Sequence, residues 1–296
     1  MEEHNFETDT KALGKALFIF IIAGSVLGVI ITGILIASHY TQDDALIIAN
    51  ALGIVAVEIF ILQHYTKKLH YQIPLHMPKD TLQWSSYAKY VIVILGLFWG
   101  SSYIFDYLTS FVSNYLVFST PDFTPSGATV TNLINMGYGI IIAPVFEELI
   151  MRGLLLGKLK QYGTVFAIVT VSVIFGLFHG NLPQGIPAFC MSIGACMLTI
   201  KAGSVLPAIS VHIIANAVGY LSMFVAGTSA GTILDYAVYA IIFLGIALAI
   251  YYIMKHPIQR LKDEQHHVME FFNGWGGIAF LIISILDIIF TITIVF

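Results

Sequence analysis

Charge is scarce in this sequence. Asp, Glu, Lys and Arg make up 10% of its 296 residues, where soluble globular domains carry roughly 25%. That shortage excludes a water-soluble domain, and a net charge of −4 without a basic cluster excludes a nucleic-acid partner. Cysteine is nearly absent. Cys190 and Cys196 fall six residues apart in one apolar stretch, on different helix faces, and read as small buried side chains. Segments that alternate in hydropathy every other residue over about ten positions are missing, which excludes a membrane barrel. A cleaved secretory leader is not expected either, because the leading segment carries Glu2, Glu3, Glu7 and Asp9 and the following apolar run is too long for one.

Hydrophobic length is what the chain has. Apolar residues reach 58% and mean hydropathy is +0.87, so the chain reads as an integral membrane protein. Runs near the ~20 residues that cross a bilayer predict spans at 16–37, 45–63, 90–111, 133–156, 165–178, 186–200, 205–225, 233–254 and 277–296. The expected fold is all-α, a polytopic transmembrane helix bundle of about nine spans, with eight as the alternative. Helices are required because lipid leaves no partner for an open strand edge.

Lys and Arg alternate between connections. Lys11 and Lys15 precede the first span, and Lys67, Lys68, Lys79 and Lys89 lie in the second connection. Lys158 and Lys160, then Lys201, then Lys255, Arg260 and Lys262 follow the fourth, sixth and eighth spans. The connections 38–44, 112–132, 180–185 and 226–234 contain none. The positive-inside rule therefore predicts a cytoplasmic N-terminus. The polar connection 64–89, with Tyr71, Trp84 and Tyr87, suits either the anionic leaflet surface or solvent. Segment 119–129 reads as a flexible loop, Gly24 and Gly28 as a helix-packing pair, and His256, His266 and His267 as too unpatterned for a metal site.

Against this background Glu147, Glu148 and Arg152 are conspicuous, because charge inside a span is expensive and usually functional. Arg152 lies one turn after Glu148 and should neutralise it, whereas Glu147 is rotated about 100° away and free to face something else. Pro144 should loosen the backbone ladder beside them. His179 ends the fifth span, and His212 and Asn216 share one face of the seventh. Glu58, Asp106 and Asp287 lie in other spans and read as helix contacts or protonated acids. At 1.5 Å per residue, Glu147 comes ~16 Å from Lys158, His212 ~12 Å from Ser204, and His179 ~24 Å from Gly163. On that estimate His179 sits too deep to meet its partners easily.

These residues, as Glu147-Glu148-x-x-x-Arg152, Phe175-x-x-x-His179 and His212-x-x-x-Asn216, resemble the motifs of the CPBP (Abi) family of intramembrane proteases, which includes the type II CAAX prenyl endopeptidases. The resemblance covers roughly Val130 to Val225 and implies three parts: N-terminal spans with the basic connection (1–129), a catalytic core (130–226) and C-terminal spans (227–296). It implies peptide-bond hydrolysis within the membrane. Glu147 and His179 would activate water, His212 and Asn216 would stabilise the oxyanion, and Glu148 and Arg152 would brace the site.

No cofactor is expected; if zinc takes part, Glu147, His179 and His212 would be its protein ligands. The expected partners are a peptide or membrane-protein substrate and the lipid bilayer, with no nucleic acid, and the expected location is a bacterial plasma membrane. Relatives include prenyl-protein processing enzymes, pheromone processing factors and bacteriocin immunity proteins. A proton-coupled transporter or an inactive scaffold for membrane partners are the rival readings, although the chain shows no paired halves of a carrier and a scaffold needs none of Glu147, His179, His212 and Asn216.

Overall fold

The computed structural model describes residues 5–79, 81–120, 129–255 and 266–295. Residues 121–128 of the expected outer loop 119–129, and His256, Arg260 and Lys262, lie outside the described residues. Helices α1 (Phe6–Ala37), α2 (Gln42–Lys68) and α3 (Trp84–Ser110) precede a broken helix, α4, over 129–162. Helices α5 (Thr164–Phe178), α6 (Leu182–Ala202), α7 (Leu206–Val225), α8 (Ser229–Lys255), the short α9 (Val268–Phe271) and α10 (Trp275–Phe290) follow.

Six of these, α1, α2, α3, α6, α7 and α8, are long and apolar enough to cross a membrane. The expected spans 165–178 and 277–296 correspond to the shorter apolar helices α5 and α10, and span 133–156 lies in α4. Their outward faces carry Val29, Ile233 and Phe243, exposed in the isolated chain as a lipid-facing surface requires.

The chain ends its helices with local devices. Asn5 and Thr8 cap α1 reciprocally, the Asn5 side chain accepting from the Thr8 N–H and Thr8 Oγ1 from the Asn5 N–H, each at 3.0 Å. Thr41 caps α2, whose acidic first turn and closing Lys67 and Lys68 suit the helix dipole. Asn181 caps α6, its Oδ1 accepting from the Gln184 N–H at 3.0 Å. The same Asn181 amide donates to the His179 carbonyl at 2.8 Å, which fixes the turn just past His179.

Two expectations are corrected. The last span does not stay helical to its end: α10 stops at Phe290, and β2 (Ile292–Ile294) pairs antiparallel with β1 (Leu116–Phe118), inside the segment read as a plain connection. The β-branched run Ile292-Thr293-Ile294 favours that choice. Gly24 packs against nothing, whereas Gly28 meets α2 near Gly53, and the close approach of α1 instead occurs where Gly14 meets Gly277 of α10.

The start of the connection 69–83 packs against the bundle. Leu69 is buried, Ile73 and Tyr71 fill the space left by Gly153 and Gly157 of α4, and the Pro74 carbonyl accepts from the Val205 N–H at 3.1 Å. The two glycines let the connection press onto the helix backbone, so it closes the bundle beneath the polar segment. The adjoining ends of α1 and α4 are tied by a buried ion pair, Lys158 Nζ to Asp9 Oδ2 at 2.8 Å, with the Tyr162 hydroxyl donating to the same oxygen.

His266 stacks on Phe6 with ring centroids 3.7 Å apart. Its hydrogen bond, reinforced by the His267 N–H, holds the Glu270 carboxyl below its ordinary range.

Candidate active site

Helix α4 carries the acids, and its winding sets their direction. Proline lacks the N–H that an α-helix needs, and just before Pro144 the helix widens into a π turn over Tyr138–Ile142. A regular α segment, Ala143–Glu148, presents the two glutamates, and a second π segment, Leu149–Leu156, contains Arg152. The expected Glu148–Arg152 pair forms despite that widening: Arg152 Nη1 donates to Glu148 Oε1 at 2.8 Å, and both side chains are fully buried.

The imidazole of His212 joins the pair from α7. Its Nδ1 lies 2.9 Å from the same Glu148 Oε1. Because a carboxylate paired with a guanidinium can only accept, His212 Nδ1 carries a proton and its Nε2 is turned the other way. That Nε2 lies 3.8 Å from Glu147 Oε2. The gap exceeds a direct hydrogen bond and is one that water spans.

Phe175 links the third helix to the group. The Arg152 guanidinium sits 4.4 Å from its ring centroid, and the rings of His179 and His212 approach it edge-on at 5.0 and 5.9 Å. His179 Nδ1 donates to the Phe175 carbonyl at 2.8 Å. A carbonyl cannot donate, so in the neutral ring Nε2 is the free acceptor. The charges of Glu147, His212 and Arg152 all act on this ring. The depth offset expected for His179 therefore does not keep it apart; that estimate took the helices as upright and starting at one level, whereas membrane helices tilt.

Asn216 donates from its amide nitrogen to the Gly139 carbonyl at 2.8 Å. This bond ties α7 to the first π turn, whose widened ladder makes such a carbonyl available. One amide N–H remains for another acceptor.

Exposure divides the six residues into two sets. Glu148, Arg152 and His212 are buried, whereas Glu147, His179 and Asn216 are partly exposed, Glu147 keeping 20% of its side-chain surface. Inside a low-dielectric bundle the sealed set neutralises itself, and the open set retains free lone pairs and a free amide hydrogen.

Glu147, His179 and His212 are the donors expected for zinc, yet among the described residues no three His, Cys, Asp or Glu side chains are grouped so as to hold a metal ion. His212 also commits one ring nitrogen to a carboxylate that the Arg152 pair already occupies.

Of two further neighbours, Glu58 was read from sequence only as a helix contact or protonated acid, and Tyr138 was not singled out. Glu58 of α2 is 1% exposed and lies near enough to Glu147 for that carboxyl's charge to reach it. Tyr138 lies within Coulomb range of both acids. On a regular helix, nine residues rotate Tyr138 about 900°, half a turn away from Glu147, so periodicity placed it on the opposite face. No sequence signal marked the π turn beyond Pro144.

Comparison with known proteins adds one finding. Residues 129–218 match the family model described as Type II CAAX prenyl endopeptidase Rce1-like. No curated protein and no solved structure matches the chain. The match spans all of α4, α5 and α6 and reaches just past Asn216, leaving 1–128 and 219–296 outside it. The match over residues 129–218 supports the resemblance to the CPBP/CAAX protease family that the motifs carry.

Proposed function

We propose that the protein is an intramembrane endopeptidase that hydrolyses peptide bonds of membrane-associated or lipid-modified substrates, with Glu147 and His179 activating the water. The single observation that carries this reading is the division of two adjacent glutamates: Glu148 is buried and paired with Arg152, while Glu147 keeps 20% of its side-chain surface and lies 3.8 Å from the His212 ring. A transmembrane brace needs only the first arrangement. A hydrolytic site needs both.

The proposed chemistry follows from the free atoms. A water between Glu147 and His179 would give one O–H to the Glu147 carboxylate and the other to His179 Nε2, leaving an oxygen lone pair directed at the substrate carbonyl. Glu147 takes the proton as the C–O bond forms, and the carbonyl π electrons move to oxygen. The resulting oxyanion is met by the unused Asn216 N–H and by His212 Nε2, which donates only when the ring carries both protons. Collapse of the intermediate breaks the C–N bond, and Glu147 returns its proton to the departing amine, so water is consumed and the enzyme is restored. Positioned acids and bases contribute about 10²–10⁴-fold to such reactions.

The mechanism uses no metal step. The topology that accompanies it has nine crossings, with the short α5 and α10 and the broken α4 completing the six long spans, a cytoplasmic N-terminus and a location in a bacterial plasma membrane. The Lys and Arg distribution supports the orientation. Incubating reconstituted vesicles of the protein with a lipid-anchored peptide and identifying the products by mass spectrometry tests the reading. New termini at one peptide bond are expected, and an intact peptide in the presence of folded protein would overturn it.

A further inference from the structure

Glu58 lies outside the segment that matches the protease family and outside the six residues of the motifs. It is buried on α2 together with Ala51, Val57, Ile61 and Tyr65, and α2 packs against the 143–148 and 149–156 segments of α4. Glu58 is thus buried on a helix that packs against the turn carrying Glu147, near enough for that carboxyl's charge to reach it. Its Oε2 is buried with no hydrogen-bond partner among the described residues. A carboxyl oxygen sealed in an apolar bundle is costly unless something satisfies it. Burial is the first influence on the Glu58 carboxyl and the charge of Glu147 the second, and Tyr138 lies near both acids.

We propose that Glu58 is a positioning residue of the site, a carboxyl group that donates a hydrogen bond to the carboxylate of Glu147 on the side away from His212. The inference rests on the proposed role of Glu147. With one proton held between two acids, their mutual repulsion becomes a charge-assisted hydrogen bond, among the stronger contacts available in a dry site. Glu147 would then be held from two directions: His212 lies beyond Oε2 across a water-sized gap, and Glu58 secures the remainder of the carboxylate. The consequence for catalysis is orientation. A base free to swing about its last torsion spends little time aligned with the attacking water, and misplacement on the ångström scale is worth up to about 10²-fold in rate.

The test uses full-length protein in lipid vesicles, with three variants. Glu58→Leu removes the donor at similar volume and is expected to lower kcat about 10- to 100-fold while KM stays near wild type. Glu58→Gln, whose amide N–H replaces the acid O–H, is expected to recover most of that loss. A Glu58→Leu enzyme with wild-type kcat, or a folded Glu58→Gln enzyme as slow as Glu58→Leu, would overturn the proposal.

A second readout needs no cleavage. Infrared difference spectra of the wild-type protein should contain the carbonyl stretch of a protonated, hydrogen-bonded carboxyl group that vanishes in Glu58→Gln and shifts in Glu147→Gln. Its presence with those responses supports the pair even if no peptide is cleaved, in which case only the protease reading fails. Its absence, or indifference to Glu147→Gln, would overturn the pair itself.

Discussion

Removing the guanidinium of Arg152 separates structural bracing from incidental packing. Methionine is nearly as long and apolar, so Arg152→Met keeps the contact with Phe175 in outline but leaves Glu148 buried with only His212 Nδ1 to satisfy it. Breaking a buried ion pair from one side costs about 3–5 kcal/mol in soluble proteins. Two structural features adjust that figure. The guanidinium also lies 4.4 Å from the Phe175 ring centroid, and a desolvated cation–π contact is worth up to about 2 kcal/mol. In the other direction, chains unfolded within a membrane find substitute partners, which lowers polar contributions to around 1 kcal/mol apiece. The expected loss is about 2–4 kcal/mol.

Reversible unfolding of the purified protein in mixed micelles, driven by a denaturing detergent and followed by circular dichroism, measures it. The double variant Glu148→Gln/Arg152→Met leaves no orphaned charge, and its loss should fall below the sum of the two single losses by at least about 1 kcal/mol. Stability unchanged in Arg152→Met, or strictly additive losses in the double variant, would refute the claim that these side chains neutralise each other.

Two further outcomes are expected. Asn216→Ala should reduce kcat about 10²–10³-fold, the usual penalty for one oxyanion donor, with KM little changed; a rate near wild type would confine Asn216 to its 2.8 Å bond with the Gly139 carbonyl. Treatment with a strong membrane-permeant chelator should leave proteolysis intact, and loss of cleavage restored by added zinc would show that a metal step is required.

Much of this arrangement was legible in the sequence because membranes restrict what sequences can do. Charge at Glu147, Glu148 and Arg152 stood out against apolar neighbours, and the spacing of four residues foretold the Glu148–Arg152 contact. His212 and Asn216 were assigned to one helix face, and they do reach the same region. What escaped detection depended on irregular backbone and long-range packing. The two π segments of α4 rephase every residue before and after them, so Tyr138 could not be placed beside Glu147 by a 3.6-residue period. Glu58 is separated from Glu147 by most of the first half of the chain, and a single acid on α2 has no local signal that it faces α4. The fold of 69–83 beneath α4 was hidden for a related reason: its fit depends on Gly153 and Gly157 being bare, a complementarity between two segments that neither reveals alone. The β1–β2 ribbon likewise required two short edges from distant positions to meet.

Glu147→Gln addresses the central claim most directly. In vesicles containing a lipid-anchored peptide, wild type should generate new termini, and the glutamine variant, folded to the same helical content, should do so at least about 10²-fold more slowly because its amide cannot take the proton of water. Cleavage at the wild-type rate by folded Glu147→Gln would contradict the account.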